Sequence, residues 1–150
     1  MRTYSVTLGD GRSTEELVAA ARYGYCHSQV ISENFPNRPF ERLHAKGGMK
    51  REIVLLSFDR PISSEDATAA AAQQGLERPY YEDALYFGIE YPEVQLEGPV
   101  AFLHDPWLGN HGRRDAICLW NNAGRRELGL EGFDDLWPAD YRLAFVRPAS

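Results

Sequence analysis

Seven residues, Glu52-Ile53-Val54-Leu55-Leu56-Ser57-Phe58, constrain this chain more than any other stretch. A strand with one wet face alternates apolar and polar side chains. This run is nearly continuous in its apolar character, which is the pattern of a central strand covered on both faces. The rest of the chain therefore has to supply a sheet around it and elements to cover that sheet. At 150 residues it is one domain, large enough to bury about 69% of its unfolded surface and to fold without disulfides or metal.

The other elements are legible from period and punctuation. Tyr4-Ser5-Val6-Thr7-Leu8 alternates and reads as a first strand, ended by Gly9-Asp10-Gly11. Ser13 with Glu16 forms a capping box for a helix whose apolar face is Leu17, Val18 and Ala21. From Tyr23 to Gly48 periodicity is weak and prolines and glycines interrupt it, so a long loop is expected there. Ser63 or Ser64 caps an alanine-rich helix through Gln74, with Gly75 as its stop. Pro79 suits the first turn of a third helix over Tyr80–Phe87, closed by Gly88. Four further strands are predicted at Val100–Leu103, Ala116–Trp120, Glu127–Leu130 and Arg142–Val146, with Asn121-Asn122-Ala123-Gly124 as a hairpin turn. The expected fold is α+β: a mostly antiparallel sheet of about six strands with two or three helices on one face.

Charge excludes one class of partner. The net charge is -6, and the acid is concentrated in residues 51–100, which carry ten Asp/Glu against three Lys/Arg. A phosphate backbone calls for a basic stripe. Here the basic pairs Arg113-Arg114 and Arg125-Arg126 are each followed at once by an acid, so nucleic acid is not the expected partner. No apolar run reaches the roughly 18 residues of a membrane span, and Met1–Val6 lacks the apolar core of a signal peptide. A cytoplasmic protein with no membrane partner is expected. In that compartment Cys26 and Cys118 are expected to be reduced, structural thiols.

Catalytic chemistry finds little support. His27, His44, His104 and His111 with the two cysteines offer no HxxxH, HExxH or CxxC spacing, so neither metal nor cofactor is predicted. There is no nucleophile elbow and no phosphate loop. The best catalytic alternative is a small hydrolytic or transferase-like site at Asp134 and Asp135, assisted by Tyr141 or His104. Acids beside Trp137 could be desolvated and raised toward general-acid duty, although short acids before a strand commonly make turns or pair with arginine.

Recognition is the leading reading. Glu77–Tyr91 sets four tyrosines among carboxylates on a helical stretch. Tyrosine gives contact area at low entropic cost, and surrounding acid steers toward a basic protein partner. Tyr80, Glu82, Asp83, Phe87 and Glu90 are the predicted partner-binding residues. The bland reading of the same helix is an amphipathic one whose tyrosines lean on the sheet. The phenylalanines of Asn34–Phe40 are read as core plugs, and the oligomeric state stays open, with self-association through strand edges as a third reading.

Several blocks together resemble a family of small bacterial and phage-associated proteins of uncharacterised activity. They are Tyr23-Gly24-Tyr25, Ile31–Pro36, Phe58–Ala67, Tyr91-Pro92, Gly98–Ala101, Phe133–Trp137 and Tyr141–Leu143. Relatives typically read Tyr-Asp-Trp at the first block, and a tryptophan is expected where Gly132 stands. The resemblance implies a single small α+β domain in a phage or mobile-element setting, and no activity.

Overall fold

A computed structural model of the chain describes residues 2–39, 49–109 and 111–148. The strands are β1 (Thr3–Leu8), β2 (Tyr25–Cys26), β3 (Met49–Ser57), β4 (Val100–Phe102), β5 (Trp107–Leu108), β6 (Arg114–Asn122), β7 (Arg125–Gly132) and β8 (Arg142–Arg147). The helices are α1 (Thr14–Ala21), α2 (Ser64–Gln73) and α3 (Tyr81–Glu90), with a short 3₁₀ turn at Val94–Leu96. The α+β class is as expected, but the sheet is larger and less uniform. Among the described residues it has eight strands, in the order β1-β3-β8-β4-β6-β7-β2, with β5 pairing the far end of β6. Two pairings, β4 with β8 and β2 with β7, are parallel, so the sheet is mixed.

The expectation of helices on one face is also corrected. Successive residues of the central strands alternate between two separate clusters. Val100, Phe102, Ile117, Leu119, Ala144 and Val146 pack with α1 and α3, while Ala101, Leu103, Ala116, Cys118, Leu143 and Phe145 pack with α2, Phe133 and Trp137. α1 and α3 therefore cover one face and α2 with the 133–141 loop covers the other. The apolar run in β3 divides the same way: Ile53 joins the first cluster, Val54 and Leu56 the second.

Local chemistry sets the helix ends. Ser13 caps α1 by accepting from Glu16 N–H at 3.1 Å, and Glu16 returns the bond to Ser13 N–H at 2.9 Å. Ser63 accepts from Asp66 N–H at 3.1 Å to cap α2. The hairpin between β6 and β7 turns through Ala123 and Gly124, both at positive φ. At the β1 edge the Tyr91 hydroxyl accepts from Ser5 N–H (3.0 Å) and donates to Ser5 C=O (2.9 Å), which occupies backbone groups another strand would need. Phe35 is fully buried against Tyr81 and Trp107, as the core-plug reading expected. Phe40 and His44 lie outside the described residues.

The tightest approach between layers is at Gly88 in α3. A Cβ there would overlap the buried hydroxyl of Tyr23, whose ring is held beneath the Arg126 guanidinium at 4.8 Å. Arg126 in turn donates to the carbonyls of Ala21 and Gly88, tying α1, α3 and β7 together. Gly88→Ala is expected to destabilise the fold by about 2–3 kcal/mol through overpacking, read as a shifted urea midpoint at unchanged slope.

Candidate functional site

The acidic first turn of α3 points inward. Glu82 and Asp83 are both fully buried, and so is Phe87. Arg38 grips Glu82 with two bonds (2.6 and 2.8 Å), and Arg51 grips Asp83 likewise (3.0 and 2.9 Å). Tyr80 lies between the two guanidiniums, 5.2 Å from Arg38 and 4.3 Å from Arg51, and its N–H donates to Asp83 at 2.8 Å. Burial pushes the Asp83 carboxyl up, opposed by Arg51 and by that N–H. Tyr81 donates to the Pro36 carbonyl at 2.6 Å, and burial lifts its hydroxyl to about 12. Of the five residues predicted to meet a partner, only Glu90 is exposed; Tyr80 is half-buried and the other three are sealed in. The predicted acidic tyrosine surface is therefore an internal, neutralised ion-pair assembly that fastens α3 to β3 and to the loop before it.

The alternative catalytic residues are not gathered either. Asp134 is exposed and paired with Arg114, whose guanidinium holds its carboxyl below the usual range, the wrong direction for a general acid. Asp135 is exposed in the turn after β7. Tyr141 stacks on Trp137 at 5.6 Å on the α2 face. His104 is buried on the opposite side, edge-on to Phe35 and Tyr81. Its role is structural. Between β4 and β5 the ladder along β6 is interrupted, and His104 Nε2 accepts the Ile117 N–H at 3.0 Å while Nδ1–H donates to the Asp105 carbonyl at 2.6 Å. Both ring nitrogens are used by a neutral imidazole. Arg78 braces the same bend by donating to the carbonyls of Leu103 (3.0 Å) and His104 (2.8 Å).

Among the described residues no three His, Cys, Asp or Glu side chains converge as metal ligands. Both cysteines are free; Cys118 is buried, and Cys26 is half-buried with its thiol raised to about 11 by burial, which suppresses nucleophilicity at neutral pH. A groove of about 1030 Å³ runs along the β1 edge, but its charges oppose one another: Arg12 meets Asp10 at 2.7 Å and Arg147 faces Glu52 at 3.9 Å. A smaller recess of about 370 Å³ lies between His27, Trp107, His111 and Arg113, and there Arg113 is taken by Asp115 at 2.6 Å.

The surface that sequence reasoning missed lies on the α2 side of the sheet, beyond the reach of α2. The cluster beneath α2 includes β6 but no residue of β7 or β2. On β7, Leu128 and Leu130 face α1 and α3, so Glu127, Gly129 and Glu131 face the other way. On β2, Cys26 packs with the first cluster, which turns Tyr25 to the open side, where it is 44% exposed. Register sets these positions in one row: Tyr25 pairs with Glu127, Glu127 with Trp120, and Val100 bridges Leu119 to Arg142, beside Tyr141. Four strand spacings make that row about 19 Å long. The Trp120 indole packs against Gly129, where a Cβ would overlap it, and its Nε1–H donates to Glu127 at 3.0 Å. Burial raises the Glu131 carboxyl, with Arg113 pulling it down and Asp115 and Asp135 adding to the rise. Tyr141 is lifted to about 12 by burial, with Glu131 and Asp140 contributing. The sequence signal for this face was present in the alternation of Arg125-Arg126-Glu127-Leu128-Gly129-Leu130-Glu131, whose odd positions are charged or glycine.

No family model, curated protein or solved structure matches the chain.

Two measurements check these assignments. Asp83→Ala strands the Arg51 charge and is expected to cost about 3–5 kcal/mol of stability; a variant of unchanged melting temperature would return α3 to the list of exposed surfaces. His104 is held at about 4 by burial, below its unfolded value of 6.5, so the unfolded chain takes up the proton first on acidification. Stability from this group is lost as pH falls from about 6.5 to about 4 and is flat below, a change of about 3 kcal/mol. The stability gap between wild type and His104→Gln, measured by urea titration at several pH values, should narrow by that amount over the same window.

Proposed function

We propose that the chain is a non-catalytic protein-binding accessory module, an inhibitor or adaptor, that engages a basic protein surface through the open face of β6, β7 and β2. The observation carrying this reading is the row Tyr25, Trp120 and Tyr141 with Glu127, Glu131 and Asp140 around it, left without a covering helix among the described residues. One exposed and two half-buried aromatics ringed by carboxylates combine contact area with electrostatic steering, the two properties of a protein recognition surface. At the β1 end the same side of the sheet presents Thr3, Ser5 and Thr7, which offer neither. The acidic surface replaces the one predicted on α3, where the carboxylates are neutralised by Arg38 and Arg51. A phage or mobile-element setting belongs to the proposal through the sequence resemblance alone, and a cytoplasmic one through the absence of a signal-peptide-like apolar core in Met1–Val6. Among the described residues no helix is long and apolar enough to cross a membrane.

Complex formation tests the reading. With a partner captured under native conditions and then purified, titration calorimetry should give at least tenfold weaker binding for Tyr25→Ala combined with Asp140→Lys, about 1.4 kcal/mol or more. Glu90→Lys, an exposed charge reversal on α3, should leave the affinity unchanged. The opposite ranking would return the interface to α3.

A further inference from the structure

After β4 the chain bends sharply. His104 N–H donates back to the Phe102 carbonyl at 2.8 Å, a three-residue turn, and the segment then crosses to pair β5 with the first residues of β6. Of residues 104–109, His104 alone is buried; Asp105 and Leu108 are exposed, and Pro106, Trp107 and Gly109 are half-buried. Fastening to β6 is correspondingly slight. It consists of two register pairs in β5, the Gly109 N–H on the Arg113 carbonyl at 3.0 Å, and the Ile117 N–H on His104 Nε2 at 3.0 Å. Trp107 leans on Phe35 at 5.6 Å and lines the recess of about 370 Å³ beside His27. A segment with so little buried surface belongs to the low-stability end of a fold.

The one buried fastening is a bond that a proton breaks. Nδ1–H donates to the Asp105 carbonyl at 2.6 Å, which leaves Nε2 as the acceptor for the Ile117 N–H. An imidazolium carries N–H on both nitrogens. At Nε2 two donors would then meet in a site closed to water, where an unmet donor is costly. The surrounding charge does not compensate. Arg78 donates to the carbonyls of Leu103 and of His104 itself and sets a second cation against the ring, while Asp105, which favours the proton, is exposed and held by Arg78 at 3.0 Å. From α3 comes Tyr81, edge-on at 6.1 Å with its hydroxyl on the Pro36 carbonyl, and the next acid there, Glu82, is bound by Arg38. The segment after β2 contributes the uncharged Phe35 at 6.2 Å, and on β6 the acid before Ile117, Asp115, is taken by Arg113 at 2.6 Å.

We propose that residues 104–109 are an acid-released flap. With His104 neutral the segment is latched to β6; with His104 protonated it unlatches while the sheet stays folded, parting Trp107 from Phe35 and joining the recess beside His27 to the aromatic cluster beneath. The flap lies on the α1–α3 side of the sheet, away from the face assigned to a partner, so neither depends on the other.

The linkage has one sign. In the open segment the imidazole titrates near its ordinary value of 6.5 and in the latched one at about 4, so on acidification the open form takes up the proton first. Opening is therefore favoured about tenfold per pH unit as pH falls through that window, and the gain levels off below it.

Amide exchange followed by NMR on the full ¹⁵N-labelled chain tests the flap, at pH 7, 5.5 and 4 and in urea below the unfolding transition. Protection factors at Ile117 and Gly109 are expected to fall together, by about 100-fold from pH 7 to pH 4, and to ignore urea, the mark of a local opening. Phe145 in β8 is expected to be better protected and to yield to urea, because its exchange needs the large exposure of global unfolding. Ring ¹⁵N shifts of the wild type report the trigger itself: Nε2 should be unprotonated at pH 7 and should titrate at the acid end of the range over which Ile117 loses protection. His104→Gln can accept from Ile117 and donate to Asp105 without titrating, so there the pH dependence should vanish at both amides. Ile117 and Phe145 exchanging with one urea slope at every pH would mean that the latch opens only with the whole molecule, and the flap falls. It falls equally if wild-type protection at Ile117 ignores pH, or if the dependence survives in His104→Gln, which would hand the trigger to another group. Should His104→Gln fail to fold, the two wild-type readouts decide alone.

Discussion

Strands buried on both faces require cover on both, and this requirement organises the molecule. β3, β8, β4 and β6 send alternate apolar side chains to opposite sides, so neither side can be left to water. The first side is covered amply by α1, α3 and the plug at Phe35. The second has only α2, all ten of whose residues are alanine or polar, and the short loop carrying Phe133 and Trp137. That cover ends at β6. The last two strands of the sheet are consequently one-sided, and what they present outward is aromatic and acidic.

The same economy explains the inward acids of α3. A helix nearly all of whose surface is buried has no solvent face on which to place charge. Glu82 and Asp83 stay because Arg38 and Arg51 meet each carboxylate with two donors, and because acid in a first helical turn also favours the backbone dipole. Such pairs contribute little net stability against an apolar replacement, but losing one partner is costly. They fix the seating of α3 on β3, and with it the position of Gly88 over Tyr23.

Much of the fold is legible in local sequence. Ser13 with Glu16, the alanine-rich stretch after Ser63, and the turn at Ala123-Gly124 are short-range devices, and each appears where its chemistry predicts. The two-residue strands β2 and β5 are not legible, because two residues carry no period. The parallel pairings depend on which strands become neighbours, which local pattern does not encode. Glu82 and Asp83 read as surface charge because their partners lie 44 and 32 residues away. His104 reads as a spare histidine until the interrupted ladder at Ile117 is seen. The candidate face was the least legible feature: Tyr25, Trp120, Glu131 and Tyr141 come from four separate segments, and only strand register brings them to one side.

Hydrogen exchange on the purified complex tests the central claim most directly, since it reports which backbone segments a partner shields without choosing a residue in advance. The account predicts added protection at residues 24–26, 118–131 and 135–141, with 80–90 unchanged between free and bound chain. Protection confined to 80–90, with the β6–β7 hairpin exchanging as in the free protein, would contradict it.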